Sequence, residues 1–103
     1  MRSKYRAIKT IVDDITFDSK KEAKRYIQLK LMVRSGNISD LKLQPRFDLI
    51  VNGYKCGFYK ADFEYIENGK RVIEDVKGMK TPVYNLKKKM MKAFHNIEIL
   101  ETK

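Results

Sequence analysis

The sequence predicts a mixed α/β fold of the α+β kind. The expected order is a small N-terminal hairpin, a helix, a three-stranded antiparallel meander, a second helix and a last strand, with a mixed sheet. Two observations carry this. Two Asn-Gly pairs stand between β-rich runs, the strongest short-range hairpin signal. Two stretches open with helix-start chemistry, Ser19 with Glu22 three residues on, and Thr81 followed by Pro82. A length of 103 residues points to one domain, 1–103.

Each element has its own signal. Residues 1–9 are basic and read as a mobile arm. Ile11 to Phe17 reads as a hairpin around Asp13-Asp14. Ser19 caps the first helix, whose apolar residues Ala23, Tyr26, Ile27, Leu29, Leu31 and Val33 make a wide stripe. Gly36 and Asn37 end it. Leu41 to Pro45 reads as a connector. Phe47 to Val51 is then a strand, Tyr54 to Ile66 a long strand bent near Gly57, and Arg71 to Lys77 a third, ended by Gly78. Val83, Leu86, Met90, Ala93 and Phe94 are expected to form the packed face of the second helix. Ile97 to Leu100 is the last strand.

Lys and Arg number 23 against 13 Asp and Glu, a net charge of +10. Such an excess points to a polyanionic partner, nucleic acid before membrane surface. No apolar run approaches the ~20 residues of a membrane span. No apolar segment follows the basic start, so a secretory signal is not expected. One cysteine, Cys56, and one histidine, His95, rule out zinc-finger and zinc-deaminase spacings, and both read as structural. A reducing cytoplasm fits this composition.

The hairpin at Asn68-Gly69 makes a geometric claim. A two-residue loop sets Glu67 opposite Lys70, then Ile66 opposite Arg71, Glu64 opposite Ile73 and Asp62 opposite Asp75. Directly opposed residues share a face, with Cβ atoms ~4.5–5.5 Å apart. Two carboxylates therefore stand side by side, with Lys77 on the same face by alternation. Like charges so placed destabilise a sheet unless something lies between them. A Mg²⁺ ion, with Mn²⁺ as substitute, suits two carboxylates, waters and a substrate phosphate. Lys77 beside it would orient or deprotonate an attacking water. The plainer reading is a solvated face with a surface ion pair. Glu74 points the other way and is the second choice of acidic ligand. Glu64 reads as an ion-pair partner.

At Asp62, at Asp75-Val76-Lys77 and in its element order, the chain resembles the PD-(D/E)xK nuclease superfamily. More closely, Ile15 to Ala23, Leu43-Gln44-Pro45, Ala61-Asp62-Phe63 and Glu74 to Gly78 look like a family of small phage-encoded proteins long known only as a domain of unknown function. The resemblance implies a restriction-endonuclease-like core. It implies catalytic roles for Asp62, Asp75, Lys77 and Glu22, and a metal at Asp62, Asp75, Val76 and Glu22. For Glu22 the helix capping box is an equal reading. Ala61 replaces the proline expected before the first aspartate. So short a chain keeps no sequence-recognition domain, which points to recognition of DNA shape.

The expected function is therefore a metal-dependent DNA endonuclease on branched or junction DNA, less so plain duplex, acting in phage recombination or replication as a cytoplasmic homodimer. Lys4, Arg6, Lys9, Lys20, Lys21, Lys80, Lys87 and Lys88 are the expected nucleic-acid contacts, with Lys24 and Arg25 nearby. Tyr5, Tyr54 and Tyr59 read as stacking or packing residues. Rival readings are a non-catalytic nucleic-acid-binding module and a host-takeover protein with an acidic partner, phage or host. The first would tolerate Asp62→Asn; the second would show no salt-dependent DNA binding.

Overall fold

The computed structural model describes residues 9–77 and 79–103. The expected basic arm, with Lys4 and Arg6, and the break at Gly78 lie outside the described residues, while Lys9 is exposed. Strands β1 (Thr10–Val12) and β2 (Ile15–Phe17) form the N-terminal hairpin. Asp13 and Asp14 turn it at φ 53° and 61°, as the expected two-residue turn requires. Helix α1 (Lys20–Arg34) begins at Ser19, whose Oγ accepts the Glu22 amide at 3.1 Å. The Tyr26 hydroxyl donates to Asp13 at 2.9 Å and ties the helix to the hairpin.

Six further strands and one helix follow: β3 (Ser39–Leu43), β4 (Arg46–Val51), β5 (Tyr54–Lys60), β6 (Phe63–Glu67), β7 (Lys70–Val76), α2 (Pro82–His95) and β8 (Ile99–Thr102). A four-stranded mixed sheet runs β3-β6-β7-β8, with β8 parallel to β7 and the other pairs antiparallel. Strands β4 and β5 form a separate hairpin. Among the described residues, no helix is long and apolar enough to cross a membrane.

The single meander is thus corrected. The expected connector Leu41 to Pro45 is largely strand β3, and the expected long strand is two strands, β5 and β6. One cause acts on both. Chain β3–β4 lies against chain β6–β5 as a ribbon that bends where Gln44 and Pro45 meet Ala61 and Asp62. Gln44 takes φ 53°, and Pro45 has no N–H to give the ladder. A bulge at Cys56, next to Gly57 and across from Leu49 and Ile50, adds the bend expected there.

Around Asn68-Gly69 the register is the expected one, from Glu67–Lys70 through Glu64–Ile73. Asn68 and Gly69 lie at φ 53° and 75°, so the turn has the two residues that this register needs. The regular ladder ends at Phe63–Glu74, one pair short of Asp62–Asp75.

The sheet divides the core. On one side, Phe63 and Tyr65 pack with Phe17, Ala23, Tyr26 and Leu29. On the other, Ile73 and Ile99 pack with Leu49, Tyr59, Tyr84 and Met91. On α1 the buried stripe is Ala23, Tyr26 and Leu29, while Ile27, Leu31 and Val33 stay exposed. Of the expected packed face of helix α2, Met90 alone lies against the core. Tyr84, Lys88, Met91 and His95 face the protein, and Val83, Leu86 and Phe94 face out, Val83 with 62% exposed. Polar partners decide this: the Tyr84 hydroxyl reaches Glu101 at 2.7 Å, and His95 Nε2 lies 2.9 Å from the Asp48 carbonyl. Asn96 closes α2 in the left-handed region and Ile97 bonds back to Met91, so the last strand starts at Ile99, later than expected.

Candidate active site at the end of strand β7

Strand β7 carries two adjacent carboxylates to opposite faces. Asp75 is 2% exposed. The Tyr59 hydroxyl donates to its Oδ2, and Lys77 Nζ lies 3.6 Å from the same oxygen. Asp62 sits at the bend between β5 and β6. Its Oδ2 accepts the Val76 amide at 2.7 Å, which turns the carboxyl toward the end of β7. There it lies beside Asp75, and each carboxyl shifts the other's titration. Although the ladder stops short of them, the bend brings the pair together.

Glu22 completes the cluster from the first turn of α1. Its carboxyl stands in the first turn above the Ser19 cap, with Asp18 and Asp62 both close enough to shift its titration. The two readings of Glu22 are therefore compatible. Electrostatics follow from the crowding. Burial pushes Asp75 up to about 7, and the Asp62 carboxylate pushes the same way against Tyr59 and Lys77. Burial also raises Asp62 and Glu22. Asp75 thus holds its proton well above the ordinary carboxylate range.

Glu74, the second choice of ligand, is withdrawn. It is fully buried, and four hydrogen bonds saturate it: Arg25 Nε at 2.8 Å, Arg25 Nη2 at 2.9 Å, the Tyr65 hydroxyl at 2.7 Å and the Thr102 hydroxyl at 3.1 Å. Arg25 is thereby committed to Glu74 by two of its nitrogens. Glu64 pairs with Arg71 at 3.1 Å and Lys42 at 3.7 Å, as an ion-pair residue.

Residues 2–101 match the family described as "Protein of unknown function (DUF1064)". The chain belongs to that family. No curated protein and no solved structure matches it.

Among the described residues of this DUF1064 member, no group of three or more His, Cys, Asp or Glu side chains is arranged to hold a metal ion. The donor set at the centre is narrower: the Asp62–Asp75 pair, with Glu22 against Asp62. Such a set fits Mg²⁺, which is typically held by one or two carboxylates with waters and phosphate filling the rest of its shell. Val76 contributes its N–H to Asp62.

The expected cations divide. Lys80 and Lys88 both reach Glu101 Oε1, at 3.0 and 3.2 Å. With the Tyr84 hydroxyl they hold Glu101 down at about 2. Lys87 instead lies over the ring of Phe58 at 5.3 Å. Lys20 and Lys21 are exposed on the first turn of α1.

Two tyrosines at the site were not legible as such. Tyr59 holds Asp75, and the Tyr84 ring lies 4.2 Å from Lys77 Nζ. In one continuous strand Tyr59 would face away from Asp62 and Asp75. The break at Ala61 turns it toward them. Lys60-Ala61-Asp62, a run of poor strand formers, was the available signal.

Proposed function

We propose that this protein is a metal-dependent DNA endonuclease of the PD-(D/E)xK type, hydrolysing phosphodiester bonds in branched or junction DNA during phage recombination or replication. One observation carries the reading: Asp62 and Asp75 meet at the end of β7 with Lys77 3.6 Å from Asp75. Helices on both faces of a mixed sheet are consistent with a restriction-endonuclease-like core. Asp62 and Asp75, with Glu22 beside them, would hold Mg²⁺ or Mn²⁺. Bound there, the cation would lower the pKa of a water and stabilise charge on the phosphodiester.

The chain's own groups have separate tasks. The Val76 amide fixes Asp62, and the Tyr59 hydroxyl fixes Asp75. Lys77 orients the attacking water or takes up its proton. The outward apolar face of α2 offers a surface for a second copy, and a two-fold pair would suit paired nicks in a branch. The surplus of basic side chains, which binding needs and the acidic pair does not supply, favours one second reading, a non-catalytic nucleic-acid-binding module on the same fold.

The test uses a labelled four-way junction, a flap and a linear duplex, each with Mg²⁺, Mn²⁺ or EDTA, beside Asp75→Ala. Metal-dependent cutting that the variant loses is expected, strongest on the branched substrates. Binding by both proteins without cutting would select the binding module. No binding at low salt would end the nucleic-acid reading.

A further inference from the structure

The hairpin of β4 and β5 carries an uncompensated group of cations. Arg46 and Lys60 stand directly opposite each other in its register. Like charges in that position destabilise a strand pair. Phe58, two residues from Lys60, shares their face and is 38% exposed. The Arg46 guanidinium carbon lies 3.8 Å from the centre of its ring, and Lys87 reaches the same ring from α2 at 5.3 Å. Among the described residues, no carboxylate pairs with Arg46, Lys60 or Lys87. Asp48 is on this face, opposite Phe58, but Lys55 holds it at 3.4 Å.

The contrast with the rest of the surface is informative. Lys80 and Lys88 share Glu101, and Lys92 has Glu98 at 3.3 Å. Among the described residues Lys20, Lys21, Lys24, Lys70 and Lys89 also have no carboxylate partner, so what sets this group apart is the shared ring. Around Phe58 the chain gathers three cations against one carboxylate, Asp48, which Lys55 already pairs. An arginine resting on a ring keeps its fork of N–H donors in one plane, and that fork matches the oxygens of a phosphate.

We propose that Arg46, Lys60 and Lys87, gathered round Phe58, bind a phosphodiester of the nucleic-acid strand. The proposal rests on the nucleic-acid reading above and places a backbone contact outside the acidic centre. The two are linked by sequence: Tyr59, next to Phe58, holds Asp75 from the opposite face of β5. A strand gripped at this ring is therefore registered against the chemistry by one rigid hairpin.

Fluorescence anisotropy of a labelled junction in EDTA, across a salt series, tests it. Arg46→Gln with Lys87→Gln should flatten the slope of log affinity against log salt by about 0.9 for each lost contact. Lys92→Gln removes one equal charge already spent on Glu98, away from the ring, and should leave the slope unchanged. Phe58→Leu keeps every charge and should weaken binding by several-fold. Unchanged melting temperatures would show that the variants are folded. An unchanged slope in the double variant, with the wild type binding or cutting DNA, would overturn the patch and leave the nuclease standing. A wild type that neither binds nor cuts would remove both. Capture by phosphatidylserine-rich vesicles, lost in the double variant and without DNA binding, would reassign the phosphate to lipid and overturn the proposal.

Discussion

Glu74 and Asp75 are neighbours in one strand, both buried, and their surroundings are opposites. Glu74 faces α1, where Arg25, Tyr65 and Thr102 supply four donors to two oxygens. Asp75 faces the other way and meets a second aspartate, with one hydroxyl and a lysine at 3.6 Å in support. The first carboxylate is neutralised by the fold. The second is crowded with negative charge, a burden that stability alone would not select. Burial therefore does not separate the two acids; the donor inventory around each does.

The largest effect expected from this contrast is at the neutralised side. Arg25→Ala strands a buried charge and should cost ~3–5 kcal/mol, measured by urea unfolding. Asp75→Asn removes a repelled charge and should cost far less, or stabilise. Equal losses in the two variants would erase the distinction.

The next effect is a pH dependence. The folded state holds a proton on Asp75 up to about 7, whereas the unfolded chain releases it near 4. Stability from this group is therefore full below about pH 4 and is lost as pH rises through about 7. Asp75→Asn should remove that fall from the melting temperature. A third effect follows at pH above 7, where both carboxylates are charged. Added Mg²⁺ should then raise the melting temperature of the wild type, and leave Asp62→Asn with Asp75→Asn unmoved.

The smallest effect is at Tyr59. Tyr59→Phe keeps the ring and deletes one hydrogen bond, for a loss of about 1 kcal/mol. Because that hydroxyl favours the charged carboxylate, its removal should raise the Asp75 midpoint further in a carboxyl NMR titration. A lower midpoint would show that Tyr59 plays no such part.

Local chemistry made much of the fold legible. Both Asn-Gly hairpins, the Asp13-Asp14 turn, the Ser19 and Thr81 caps and the β6–β7 register are encoded by residues in contact along the chain. Legibility failed where a distant residue decided. Pro45 breaks a ribbon whose other strand is β5–β6, and no periodicity within Tyr54 to Ile66 reports that. Helix α2 fails for a similar reason. Its aliphatic face is the stronger signal, yet Glu101 and the Asp48 carbonyl select the face with Tyr84 and His95. At the site, turn length pointed to the pair Asp62 and Asp75, but the ladder stops at Phe63–Glu74 and the bend before β6 brings them together. Tyr59, and the fate of Glu74, needed the third dimension.

Strand β8 has a consequence for when this arrangement comes into being. It supplies the Thr102 hydroxyl to Glu74, the Thr102 carbonyl to the Lys77 amide and Glu101 to Tyr84, and it joins β7 as a parallel neighbour across a helical crossover. Parallel pairing of that kind forms late, after distant segments have met. Val76 and Tyr59, which hold Asp62 and Asp75 directly, both precede β8 in the chain. Docking of β8 is therefore the step that completes the surroundings of strand β7: it settles Glu74 on one face and the Lys77 backbone at the strand's end.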